Sequence, residues 1–182
     1  MTTNDTADEH LDERAVSTCP GCGLTAAESG GLAPAEHVAS PACYQLYGEL
    51  LARDYSNPDY YRRVHQMNVD AYAAQHAGGT SRREVQTVGL CLMTLCLFCE
   101  DDVDPAEGPA LHTRMVAHRP GFTWLAPPPQ HDLMTVADVL TARNAIEHER
   151  LVRQWACQVW QAWAPHHGTI RKWNAQALAR PS

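Results

Sequence analysis

Lysine occurs once among the fourteen Lys and Arg residues of this 182-residue chain, phenylalanine twice, and no long apolar run occurs at all. Each shortage excludes something. The longest apolar run, Val88 to Cys99, has twelve residues with Thr94 among them, whereas a membrane span needs about 20. Positive charge is scarce: 14 Lys and Arg stand against 21 Asp and Glu, a formal net charge of −7. That balance disfavours nucleic acid and anionic membranes as partners, since both call for a basic surface. No G-x-S-x-G, phosphate-binding loop, H-E-x-x-H or dinucleotide fingerprint is present. An alternating strand pattern and internal repeats are likewise missing. The start, "MTTNDTADEHLDERAV", is polar and acidic and lacks the apolar core of a signal peptide. A cytoplasmic location is therefore expected.

What is present is a sufficient core and an unusual number of cysteines. Apolar residues make up 45% and charged residues 19%, enough for one globular domain and too apolar for a disordered chain. In a reducing compartment the seven cysteines read first as thiols or metal ligands. Their odd number also forbids complete pairing.

Helix signals follow one another along the chain. Residues 1–16 read as a disordered leader and 17–182 as a single helical domain, divided into a knuckle with the first helix (17–56) and a bundle (57–182). Ser40 and Pro41 open a helix over about 41–55, and Asn57 and Pro58 open a second that Gly78 and Gly79 stop. The second carries the stripe Tyr61, His65, Val69, Tyr72 and His76. Ser81 and Glu84 form a capping box for a third helix to about residue 100, apolar on every side. Residues 101–134 resist regular assignment, apart from a short helix within 109–118, and a loop of that length suggests a lid or binding element. A capping box at Thr135 and Asp138 predicts a long helix from 136 to 164, and a shorter one resumes after Pro165. The expected fold is mostly α, an irregular bundle of four to five helices with an N-terminal zinc knuckle.

The stretch "TCPGCGLT" carries the chemistry. A redox Cys-x-x-Cys favours a helix start within a βαβ pattern, and no strand is expected before Cys19. Pro20, Gly21 and Gly23 instead suit a tight turn whose N–H groups point back at two thiolates on one ion, as in zinc knuckles. Cys43, in the first turn of the next helix, is the expected third ligand, because the helix dipole favours a thiolate there. For the fourth we expect His65, brought back by an antiparallel helix pair, with His37 and then Glu36 or water as alternatives. Cys91, Cys96, Cys99 and Cys157 lie in apolar helical stretches and read as small buried hydrophobes.

Four segments, "CPGCGL", "SPAC" before a helix, "HQMNVDAYAAQH" and "WACQVWQAWAPHH", together resemble an uncharacterised bacterial family, a domain of unknown function of about this size. The resemblance covers nearly all of the chain after the leader. It carries over Cys19, Cys22, Cys43, His65, Asp70, Gln75, His76, Trp155, Trp160, His166 and His167 as matching positions. Ala77 stands where that pattern has proline, and Cys91 lies near a position where it has histidine. The resemblance implies a helical fold and a metal, and no reaction.

Two functions remain in view. The first is a zinc-binding helical protein that binds a small molecule or a protein partner, its tryptophans (Trp155, Trp160, Trp163, Trp173) belonging to the core. The second is a metal-dependent enzyme acting through a second site in the bundle. There His76 and His167 would approach each other, with Cys91 or His148 as a third member. Zinc is the expected cofactor.

Overall fold

The computed structural model describes residues 15–33 and 35–179. The expected leader lies almost wholly outside the described residues, and the ordered chain begins earlier than its boundary, because Val16 already belongs to a strand. Strands β1 (Val16–Thr18) and β2 (Thr25–Ala27) pair antiparallel, Val16 opposite Ala27 and Thr18 opposite Thr25. This corrects the strand-free expectation. Three residues are too few to show alternation, so the hairpin is set by its turn. Within it, Cys19 N–H donates to Leu24 O (2.8 Å) and Gly23 N–H to Cys19 O (2.9 Å). Gly23 takes φ 78°, a conformation open chiefly to glycine.

Among the described residues seven α-helices follow: α1 (Pro41–Ser56), α2 (Pro58–Gln75), α3 (Arg82–Cys99), α4 (Gly108–Ala117), α5 (Val136–Leu140), α6 (Ala145–Ala162) and α7 (His167–Leu178). The mostly α bundle stands as expected, with α4 and α5 as short additions to its count. The start signals act as chemistry dictates. Ser40 accepts from Cys43 N–H, Asn57 accepts from Asp59 N–H, and Ser81 and Glu84 complete a reciprocal capping box.

Two expectations about helices require correction. The short helix expected within 109–118 is present, and the residues leading into it, 105–108, are helical as well and not loop. A 3-10 turn at Pro105–Glu107 runs into α4, which packs on α3 and α7 with Met115 fully buried. The expected single helix over 136–164 is two. α5 stops at Leu140, and Asn144 caps α6 by accepting from Glu147 N–H (3.0 Å). Asn competes for backbone N–H groups in just this way, which makes it a better cap than a helix interior. The restart gives α6 its own inward face, which includes His148, Val152, Trp155 and Val159.

Helix α2 is the hub, packed against α1, α3 and α6. Its buried face is Val64, Met67, Asn68, Asp70 to Gln75. Tyr61, assigned to the inward stripe, is 43% exposed. Helix α3 is buried without interruption from Gly89 to Phe98, as its all-round apolarity requires. Trp155, Trp160, Trp163 and Trp173 are core residues, and three of them have satisfied indole N–H groups: Trp155 donates to Gln75 Oε1 (2.9 Å), Trp163 to Ala74 O (3.3 Å) and Trp160 to Glu100 Oε1 (3.2 Å).

The cysteines divide unexpectedly. Cys99 on α3 and Cys157 on α6, read as free thiols, are joined as a disulfide across 58 residues of sequence, with Cα atoms 5.6 Å apart. Spacing along a sequence does not reveal which positions two helices bring together, so the pair was not readable. Cys91 and Cys96 remain buried thiols, and burial pushes Cys96 up to about 12.

Two outcomes follow from this architecture. In hydrogen exchange, amides of residues 110–117 should exchange as slowly as other packed helices, while those of 119–129 exchange early. Cys157→Ser should lower stability by about 2–4 kcal/mol, the range for a native disulfide closing a long loop, in non-reducing urea melts. Equal urea midpoints for the two proteins would show that the cross-link contributes nothing.

Candidate metal centre

The hairpin turn, the start of α1 and the end of α2 converge on one point. Cys19, Cys22, Cys43 and His76 are all buried, and one donor atom from each lies within 4.8 Å of every other. Among the described residues this is the one group of three or more Cys, His, Asp or Glu side chains arranged to hold a metal ion. Cys22 Sγ and Cys43 Sγ are 3.8 Å apart, and Cys43 Sγ and His76 Nε2 are 3.4 Å apart. In a tetrahedron with metal–sulfur bonds of about 2.3 Å and a metal–nitrogen bond of about 2.0 Å, such edges come to roughly 3.8 and 3.5 Å. The spacing fits a shared ion.

Each donor is held by backbone that the sequence dictates. A Cβ at Gly21 would collide with the Val38 carbonyl oxygen and the His76 ring, so the Pro-Gly step lets the turn close over the histidine. Cys43 sits in the first turn of α1, where its own N–H caps to Ser40 and the dipole favours negative sulfur. His76 is the C-cap residue of α2. Its Nδ1–H donates to Tyr72 O (2.9 Å), which leaves Nε2 as the lone-pair nitrogen facing the sulfurs. Ser40 N–H (3.4 Å) reaches Cys19 Sγ, and Tyr72 O–H (3.7 Å) reaches Cys43 Sγ. Donors of this kind stabilise thiolates.

The electrostatics without a cation are lopsided. Hydrogen bonds from Cys22 and Cys43 hold the Cys19 thiol far below the usual range. Cys22 is pushed up to about 11, chiefly by its bond to Cys19, and Cys43 is raised by both neighbours. One negative charge is accommodated and the other two are resisted. A divalent cation removes that competition, since a metal-bound thiol ionises outright.

His65, expected as the fourth ligand, is elsewhere, and His76 takes the place. The antiparallel pair was the right device applied at the wrong end. Cys43 opens α1, so the end of α2 lies beside it, and His65 near the start of α2 does not. His37, the first alternative, stacks edge-on against Tyr72 with ring centroids 5.3 Å apart. The expected second site does not assemble either. His76 belongs to the cysteines. Cys91 faces Asp70, a carboxyl that burial pushes well up. His167 stacks on Trp160 at 3.7 Å between centroids, with Nε2–H donating to Trp160 O (2.9 Å). His148 is held by Asp54.

Asp54 was not singled out in the sequence. It is fully buried on α1, on the inward face that also holds Cys43, Tyr47 and Leu50, and that helical spacing was the available signal. Asn68 Nδ2 donates to Oδ2 (2.9 Å), His65 Nδ1 lies 3.4 Å from Oδ2, and His148 Nε2 lies 3.3 Å from Oδ1. Burial alone would raise this carboxyl; the bonds from His148, His65 and Asn68 outweigh it and hold the group below the usual range. A depressed folded-state value means the contribution is complete above pH about 4 and is lost as pH falls through that lower value. Asp54→Asn should therefore cost about 1–3 kcal/mol at neutral pH, a difference that shrinks as the pH falls below the ordinary carboxylate range. Denaturant melts across pH check both statements.

No curated protein and no solved structure matched this chain. Residues 17–164, from the knuckle through the end of α6, match the family described as "Family of unknown function (DUF5946)". That span contains all four converging donors and the Asp54 network, and the chain belongs to this family of unknown function.

Proposed function

We propose that this chain is a cytoplasmic helical protein closed by one structural zinc ion on Cys19, Cys22, Cys43 and His76, and that the scaffold so formed binds a small molecule or a protein partner. The single observation that carries the reading is the buried set of three sulfurs and one imidazole nitrogen at tetrahedral spacing. A sulfur-rich tetrahedral donor set with one histidine is characteristic of zinc. Burial argues for structure over catalysis: none of the four residues exceeds 2% exposure, while a catalytic zinc keeps an open position for water or substrate. A disulfide within the cluster is the competing fate for two of the thiols. The 3.8 Å between Cys22 and Cys43 sulfurs favours a shared ion, because a disulfide bond is about 2.05 Å.

Metal analysis of untagged protein decides the matter. Wild type should carry about one zinc per chain, and Cys19→Ser, Cys43→Ser and His76→Ala should lose it. Each kcal/mol lost lowers the melting temperature by about 2–4 °C in a chain of this size. Loss of a site contributing several kcal/mol should then lower it by about 10 °C. His65→Ala and Cys157→Ser should keep their zinc. Wild type purified without metal, or His76→Ala retaining it, would overturn the assignment.

A further inference from the structure

At the end of the bundle away from the knuckle, the Asp54 network reaches the surface through a tyrosine. Asp54 faces inward near the end of α1, and the next residue is turned about 100° around the helix. Tyr55 therefore points outward, and it is 65% exposed. His65 lies between the two. Its side chain is 14% exposed, with Nδ1 3.4 Å from Asp54 Oδ2 and Nε2 3.4 Å from the Tyr55 hydroxyl. One imidazole thus joins a buried carboxylate to an exposed phenol.

The direction of these bonds follows from the groups available. A carboxylate only accepts, so Nδ1 of His65 carries the hydrogen and Nε2 of the neutral ring keeps the lone pair. The phenol is then the donor, and its proton already points at Nε2. Asp54 is itself held in place, because Asn68 Nδ2 donates to the same oxygen at 2.9 Å and His148 Nε2 faces the other at 3.3 Å. A nucleophile, a base beside it and a third group orienting the base are the parts of an activated nucleophile. Bonds between such groups are often this long before a substrate is bound.

Tyr61 supplies the contrast. It is also exposed, at 43%, and stacks on the same imidazole with ring centroids 4.5 Å apart. Among the described residues, Tyr55 is the one whose hydroxyl bonds to His65. Exposure and contact with the ring are shared by the two tyrosines, and the hydroxyl bond separates them.

We propose that Tyr55 is a nucleophile that takes an acyl group from a small activated ester, with His65 as its general base. The phenolic oxygen bonds to the acyl carbon as its proton passes to His65 Nε2. The bond from that carbon to the leaving oxygen breaks, and the leaving group departs with the electron pair. The imidazolium then returns its proton to solvent. Tyr55 stands open to water, so the donor is one whose leaving group departs unaided, such as an aryl oxide. Asp54 is a positioning residue: by accepting the Nδ1 hydrogen it fixes the tautomer that leaves Nε2 free. The site stands apart from the metal centre.

The probe is p-nitrophenyl acetate, added to the full chain at mildly alkaline pH, with acetylated residues located by peptide mass spectrometry. Tyr55 should gain its acetyl group about 100-fold faster than Tyr61, an advantage within the range of general-base catalysis. His65→Gln should bring Tyr55 down to the rate of Tyr61. In protein labelled with nitrogen-15 in its histidine rings, His65 should carry its hydrogen on Nδ1. Asp54→Asn should lose that preference, which a merely structural role for the carboxylate would leave unchanged. Equal acetylation of the two tyrosines, an undiminished Tyr55 rate in His65→Gln, or a wild-type His65 with its hydrogen on Nε2 would each overturn the proposal. Should either variant fail to fold, the wild-type comparison of Tyr55 with Tyr61 decides it alone.

Discussion

Three sulfurs and an imidazole nitrogen, packed within 4.8 Å of one another in the protein interior, cannot satisfy one another. Thiols are weak donors and each ionised sulfur raises its neighbours. A shared cation is one arrangement under which all four can be buried together. The hairpin turn, the first turn of α1 and the close of α2 converge to bring those atoms to one place. The bundle behind them is ordinary by comparison, held by tryptophans and aliphatic side chains around α2.

The pairing of α1 with α2 links both polar centres. Cys43 meets His76 at one end, and eleven residues later on α1 Asp54 meets His65, eleven residues earlier on α2. One antiparallel register thus places the metal donors and the Asp54 network on the same seam. The sequence held that register in its two helix starts. With Asn57 between the two helices, a residue in the first turn of α1 falls toward the end of α2, where His76 stands.

How much could be read beforehand depended on whether a feature was local. Helix starts at Ser40, Asn57 and Ser81 were legible, because a cap is a bond between residues two or three apart. The Cys19–Cys22 pair and Cys43 were legible for the same reason: a Pro-Gly turn and a first-turn position have fixed geometry. Features made by distant segments were not. The partner of Cys99, the whereabouts of His148 and the occupant of the fourth ligand position depend on how α6 and α2 dock. The break between α5 and α6 lay in between. Asn144 announced it locally, and the apolar stripe is itself interrupted between Leu140 and Val152.

The cross-link and the candidate metal centre divide the backbone between them. One ties residue 19 to residue 76, the other ties 99 to 157, and the two closed spans do not overlap. Between them lie the largely exposed segment 78–83 and α3, which is buried only from Gly89 to Phe98. A cut in the exposed segment around Arg119 therefore falls inside a covalent ring, and both fragments stay attached. With the ion bound, a cut near Ser29 is bridged in the same way. A cut at the exposed Arg82 or Arg83 falls outside both spans, and neither link then holds the two parts together.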